Sequence, residues 1–228
     1  MLFIGWRLGA NGERALNTEA ARLALSQTLD RLRLDYLDLL TLDDPDANPF
    51  DASVVAQLER FEGEGLTYRL GVRGSGPRFD TMAATGAFAA ISTAFNLSSG
   101  WVERNRVRSA VRAELVVIGE DYWPQALHEE KRTFLPKPSL WKRRTDPLAG
   151  AGGYEFLSET PGWKADEICL AYALTEPSLA TVQIAPHSRA EVERLAQIAE
   201  RDLPTGASAQ IEMARFSAQE AQKAARRA

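Results

Sequence analysis

Short apolar runs and amphipathic stretches alternate along most of this chain, and that alternation constrains the fold more than any other feature. The runs are LFIGWR (Leu2 to Arg7), YLDLLTL (Tyr36 to Leu42), YRLGV (Tyr68 to Val72), FAAISTAF (Phe88 to Phe95), LVVIG (Leu115 to Gly119) and LATVQIA (Leu179 to Ala185). Each is short enough for a buried strand, and helix-like segments lie between them. Asn17 caps a predicted helix to about Arg33, with Ala21, Leu25, Leu29 and Leu32 on one face. A second helix starts at Asp51 or Ser53, carries Val54, Val55, Leu58 and Phe61, and stops at Gly63 or Gly65. RFDTMAAT is a short third helix, Trp101 to Ala113 a basic fourth, and ADEICLAYALTE a fifth. A sixth runs from Ser188 to about Arg201, and its Ser188-Arg189-Ala190-Glu191 start has the form of a capping box.

Strands alternating with helices imply parallel strands joined by crossovers. The expected fold class is therefore α/β, a TIM-barrel-like (β/α) repeat with about six of the eight units of a barrel. The doubly wound alternative is weaker. No G-x-G-x-x-G follows the first strand, and Gly71, Gly74 and Gly76 come after the third. The rhythm breaks from Glu120 to Trp163, a stretch with five prolines and no strong periodicity. We read residues 1–204 as the partial barrel, 120–163 as a long loop within it, and 205–228 as a tail that forms one surface helix.

Composition excludes several classes. Net charge is −4 with Lys and Arg scattered, which argues against a nucleic-acid surface. The loop does interleave Lys131, Arg132, Lys137, Lys142, Arg143 and Arg144 with Trp123, Phe134 and Trp141, a mixture that suits an active-site or partner loop. One cysteine, Cys169, allows no internal disulfide and sits on an apolar helix face, as a core residue does. Two histidines, His128 and His187, leave little for a metal centre, and no metal is expected. Glu120, Asp121 and Asp43 are the sole acidic grouping worth testing as a cation site. No long apolar span or leader-like start is seen, so the expectation is a cytoplasmic protein without a membrane segment.

Four segments together resemble the aldo-keto reductase family. LSQTLDRLRLDYLDLLTLDDPD resembles that family's helix ending in Leu-x-x-Leu before a Tyr-Ile-Asp-Leu strand. LERFEGEGLTYRLGVRGSG is similar to its next helix, Gly turn and Ile-Gly-Val strand. ISTAFN resembles a strand ending in Tyr-Asn. ICLAYALTEPSLATVQIAPHS resembles the last helix and strand before a phosphate-gripping loop. The likeness runs from about Met1 to Pro204, in order and spacing. It implies a (β/α)8 barrel that reduces carbonyls with NADPH. In that chemistry a tyrosine gives the proton, helped by a lysine, an aspartate and a histidine, because an alkoxide must be protonated by a group whose pKa is lowered by a nearby cation.

The resemblance also marks departures. The family's aspartate and tyrosine belong to a unit before the one LFIGWR resembles. The lysine position falls on Arg7, a poorer proton relay. The histidine position falls on Asp43, which cannot donate a hydrogen bond when ionised. The nicotinamide-gripping Ser-Asn falls on Arg73 and Gly74, and the glutamine on Ser92. Asn96 matches the Tyr-Asn, with Phe95 for its tyrosine. Tyr122 resembles the tyrosine that stacks on nicotinamide. Pro186-His187-Ser188, followed by Arg189, stands where the family has the Pro-Lys-Ser of its NADP 2′-phosphate site. The adenine-gripping Glu-Asn falls near Arg194 and Leu195.

Two functional expectations follow. In the first, the chain is a divergent aldo-keto-reductase-like protein without the usual carbonyl reduction, keeping weak binding of NADP(H) or a phosphate ligand through Arg73, Asn96, His187, Ser188 and Arg189. In the second, it is an active NADPH-dependent oxidoreductase with Arg7 and Asp43 in the site and Tyr122 as proton donor. Either takes a small-molecule or nucleotide ligand. An open sheet edge also suggests a homodimer. The plainer alternative for Asp43 and Asp44 is an acidic turn before Pro45.

Overall fold

The computed structural model describes residues 3–9, 17–48, 50, 52–124, 127, 154 and 156–227. Most of the long loop, with its basic residues, Phe134, Trp141 and His128, lies outside them. The elements are β1 (Gly5–Leu8), α1 (Thr18–Leu32), β2 (Leu37–Asp43), α2 (Ala52–Gly63), β3 (Thr67–Arg73), α3 (Pro77–Ala83), β4 (Ala90–Ala94), α4 (Trp101–Arg112), β5 (Val116–Glu120), α5 (Phe156–Glu159), α6 (Ala165–Leu174), β6 (Thr181–Val182), α7 (Arg189–Ala196) and α8 (Thr205–Arg227). The six strands form one sheet in chain order, β1-β2-β3-β4-β5-β6, with β1 through β4 paired in parallel. Sequential order is what a barrel requires. A doubly wound sheet reverses direction at a switch point, and this one does not. The sheet is open, as a partial barrel would be.

The chain divides into two compact units. Unit 1 is Met1–Ala94, Trp101–Gly119 and Ser178–Thr181. Unit 2 is Phe95–Gly100, Glu120–Pro177 and Val182–Ala228. In unit 1 the register sorts side chains by face. Leu8, Leu40, Leu42, Leu70, Val72 and Ile91 share one face through their pairing, and all are essentially inaccessible. Each such burial contributes roughly 1.5–3 kcal/mol. From the helices, Ala21, Leu25, Leu29, Val54, Leu58 and Phe61 are also buried.

Asn17 caps α1 as expected, accepting a hydrogen bond from the Ala20 N–H at 2.9 Å. Arg33 ends the helix with φ 54°, and the next N–H, that of Leu34, bonds the Leu29 carbonyl at 3.0 Å. Leu32, predicted on the core face, is exposed, since the helix ends there.

In unit 2, Leu97, Leu157, Ile168, Cys169, Tyr172, Ala207 and Ile211 form one core cluster. Cys169 is buried, as its apolar surroundings suggested. The expected surface helix of the tail is α8, and it is more than a surface element. Ala207, Ile211 and Ala214 recur at helical spacing and are buried, so a stripe of α8 belongs to the core.

Three other sequence expectations change. The last strand, predicted over Leu179 to Ala185, is two residues long. Thr181 is exposed and Val182 half-buried, so this sheet-edge segment has less side-chain burial to extend it between Pro177 and Pro186. The sixth predicted helix is α7 followed by a 3-10 turn at Gln197–Glu200. The stretch taken as a loop holds α5, whose four residues are too few to show a period.

Candidate functional site

The C-terminal ends of β1 to β3 bring Arg7, Asp43 and Arg73 together in unit 1. Asp43 and Arg73 are register partners on adjacent strands. The Arg73 Nη1 donates to Asp43 Oδ1 at 3.1 Å, and Arg7 Nη1 lies 3.9 Å from the same oxygen. Asp43 is buried, with 8% of its surface exposed. The Arg7 side chain is 42% exposed and that of Arg73 25%. Thr41 and Ser92, paired with Arg7 and Arg73 respectively, continue the same face. So the sequence-predicted Arg7, Asp43 and Arg73 do meet, as an ion-paired row.

The turn after β2 is built from the remaining acids. Asp44 has φ 36°, and its Oδ1 accepts from the N–H groups of Asp46 and Ala47 at 3.3 and 3.2 Å. Asp46 then reaches α3, accepting from the Arg78 and Phe79 N–H groups at 3.0 Å each. Gly76 makes this approach possible, because a Cβ there would lie 2.3 Å from the Asp46 Cγ. The acidic turn expected around Asp44 is present, and it also caps a helix 32 residues on.

In unit 2 the start of α7 carries His187, Ser188 and Arg189. Ser188 Oγ accepts from the Glu191 N–H at 3.2 Å. The reciprocal arm of the expected capping box goes one residue further out, Glu191 Oε2 accepting from the His187 N–H at 2.8 Å. Arg189 pairs with Glu193 at 2.8 Å on the exposed surface. Asn96 serves a local turn. Its Oδ1 accepts from Ser98 N–H and Oγ at 3.0 and 2.6 Å, and its Nδ2 donates to the Asp121 carbonyl at 2.9 Å.

Sequence reasoning missed a charge cluster of unit 2. Arg194 reaches from α7 to the first turn of α6, with Nη2 2.6 Å from Asp166 Oδ2 and Nη1 2.9 Å from Glu167 Oε1. Arg201 lies 3.7 Å from Glu167 and stacks on Trp163 with 3.7 Å to the ring centroid. The acids and Arg194 are 27 and 28 residues apart, and no local pattern joins them.

Tyr122 packs against both core clusters of unit 2. Burial, then the carboxylates of Asp166 and Glu191, push its phenol from 10.0 up to about 12. A proton donor assisted by a cation would move the other way. Because the folded pKa is raised, the stability tied to neutral Tyr122 is full below pH 10 and is lost as pH climbs toward 12. Buried Cys169 adds a loss of the same sign, its thiol also being raised by burial. In urea melts between pH 9 and 11, Tyr122→Phe is expected to lose stability less steeply than the parent. Equal slopes would show that Tyr122 is solvated.

Among the described residues no group of three or more His, Cys, Asp or Glu is placed to hold a metal, and no helix is long and apolar enough to cross a membrane. No protein-family model matches the chain, and no curated protein matches it. Solved structures do. An aldo-keto reductase from Bacillus halodurans, in its holo form, superposes with TM-score 0.66 at 18% identity, over 93% of this chain and 72% of that one. The glycerol dehydrogenase from Gluconobacter oxydans gives 0.64 at 19% identity, over 87% and 64%. The aldose reductase from Giardia lamblia gives 0.66 at 16%, over 94% and 72%. Sequential strand order and these superpositions agree: the chain has an aldo-keto-reductase-like fold, with six strands in an open, partial barrel.

Proposed function

We infer that this chain is a divergent aldo-keto-reductase-like protein that does not perform the family's ordinary NADPH-dependent carbonyl reduction. The observation that carries this is the pairing of Asp43 with Arg73 at 3.1 Å and Arg7 at 3.9 Å. The chemistry needs a neutral donor aimed at the carbonyl oxygen and a cation that lowers a tyrosine's pKa. An Asp43 carboxylate held by guanidinium groups is an acceptor, and it repels a developing alkoxide.

The residues at the start of α7 do not fit an NADP phosphate as they stand. The His187 N–H, one of the amides a phosphate would use, is bonded to the Glu191 carboxylate. That fixed negative charge opposes a phosphate, and the exposed Arg189–Glu193 pair is too weak to reverse it. Any residual NADP(H) or phosphate binding there is accordingly weak.

The test is steady-state NADPH consumption by the folded full chain against a panel of aliphatic and aromatic aldehydes. The expected rate equals that of a protein-free control. Saturable turnover with any aldehyde would overturn the inference.

A further inference from the structure

We propose that the groove between α3 and α4 docks an acidic partner peptide through a single aromatic side chain. The groove lies in unit 1, on the face of the sheet opposite the Arg7–Asp43–Arg73 row.

Local sequence creates the groove. Ile91 pairs with Val72, so it stands on the other face from Arg73 and Ser92. α3, seven residues long, covers Ile91 on one side and α4 on the other. Small side chains line the approach, Ala83 and Ala84 after α3's first turn, Ala110 and Ala113 near the end of α4. They leave about 270 Å³ open above the buried Phe79 and Ile91.

Size selects the guest. Sites that enclose a whole small molecule run to about 300–1,000 Å³. This groove falls just short and suits one aromatic side chain. At its mouth Trp101 is 75% exposed and Val102 55%. An exposed tryptophan beside a side-chain-sized hole is the form of an interface anchor, where Trp and Arg are enriched.

Charge selects the rest of the guest. Asp80, the acid in the lining, is already neutralised. Arg106 donates to it at 2.6 and 3.1 Å and to the Ser75 carbonyl at 2.7 Å. Beside the groove, Trp101, Arg108 and Arg112 share one face of α4 at i, i+7 and i+11. Arg108 and Arg112 are exposed, and neither forms an ion pair among the described residues. Exposed Glu114, just past the helix, offsets one of them. The rim therefore keeps a positive charge for an acidic segment. A single-stranded nucleic acid is the poorer match. It needs several stacking platforms, and the exposed ring here is Trp101, on a chain of net charge −4.

The test is fluorescence anisotropy on the full chain at pH 7 and low salt. The probe is a fluorescein-labelled, glutamate-rich peptide with one central phenylalanine. It is expected to saturate, and to weaken as salt is raised. The same peptide with alanine in place of phenylalanine is expected to bind about tenfold or more weakly, since an aromatic burial is lost. Reversing Arg108→Glu and Arg112→Glu together is expected to weaken the phenylalanine peptide about tenfold. Trp101→Ala is expected to weaken it as well, and so is Ser109→Phe, which closes the groove mouth. All four positions are exposed, so the fold is kept.

No saturation, equal binding of the alanine peptide, equal binding of an oligothymidylate of the same charge, or indifference to the double reversal or to Ser109→Phe would each overturn the proposal. A dimer in sedimentation that Trp101→Ala dissolves would also overturn it, by giving the groove to a second copy. Groove and row occupy separate faces, so aldehyde turnover bears on the functional inference alone.

Discussion

Arg194→Ala is expected to destabilise unit 2 by about 3–5 kcal/mol, the range for removing one partner of a buried ion pair. The side chains of Asp166 and Glu167 are only 9% and 7% exposed. Both lose their closest cation in this variant. The first turn of α6 softens the loss, because helix amides favour negative charge. Arg201 remains, but at 3.7 Å from Glu167 it replaces little of a bond at 2.9 Å. These effects place the result toward the lower end of the range. Arg194→Lys is expected to recover only part, since a point charge cannot bridge two carboxylates as a fork does. The Asp166 hydrogen bond raises the Arg194 pKa beyond the ordinary guanidinium value. The contribution is thus complete below that value and does not titrate at working pH. Urea unfolding measures it. A loss below about 1 kcal/mol would mean that the acids are solvated once Arg194 is gone.

Phe61→Ala is expected to cost unit 1 about 3–5 kcal/mol, the usual penalty for emptying an aromatic core position. Phe61 is fully buried on α2. The Arg22 guanidinium sits over its ring, 5.2 Å from the centroid, and also bonds both Glu64 oxygens at 2.7 and 2.9 Å. The two contributions separate by magnitude. Arg22 is 48% exposed and Glu64 43%, so Arg22→Ala is expected to cost less than about 1 kcal/mol. If the two variants proved equally damaging in urea melts, the Arg22 layer would hold this helix more than the core does.

The fold was legible because strands buried against helices must be apolar, and that pattern survives without any alignment. Leu40, Leu42, Leu70 and Val72 announce themselves by type alone. What stayed hidden depended on partners. Thr181–Val182 looked longer because its apolar neighbours suggested a strand that tertiary pairing does not extend. The stripe Ala207, Ile211 and Ala214 is built mostly of alanine, which carries little hydrophobic signal.

The site divides the same way. The family resemblance brought attention to Arg7, Asp43 and Arg73, but their mutual pairing follows from strand register between residues 30 apart. The capping box at Ser188 was visible, whereas the shift of its acid arm to the His187 N–H was not. Arg194 was noted only as the place of the family's adenine-gripping pair; its pairing with Asp166 and Glu167 was missed because those acids lie on another helix, and α6 reads as an apolar core segment.

Single-turnover oxidation tests the central claim most directly. Lost general acid–base assistance typically costs 10²–10⁴ in rate, so a slow residual reaction would escape a steady-state assay. The full chain would be held in excess over NADPH with a reactive aldehyde, and NADPH absorbance followed for hours. We expect decay indistinguishable from the protein-free control, and the same for Asp43→Ala. Decay that is faster with the parent chain and depends on aldehyde concentration would contradict the account.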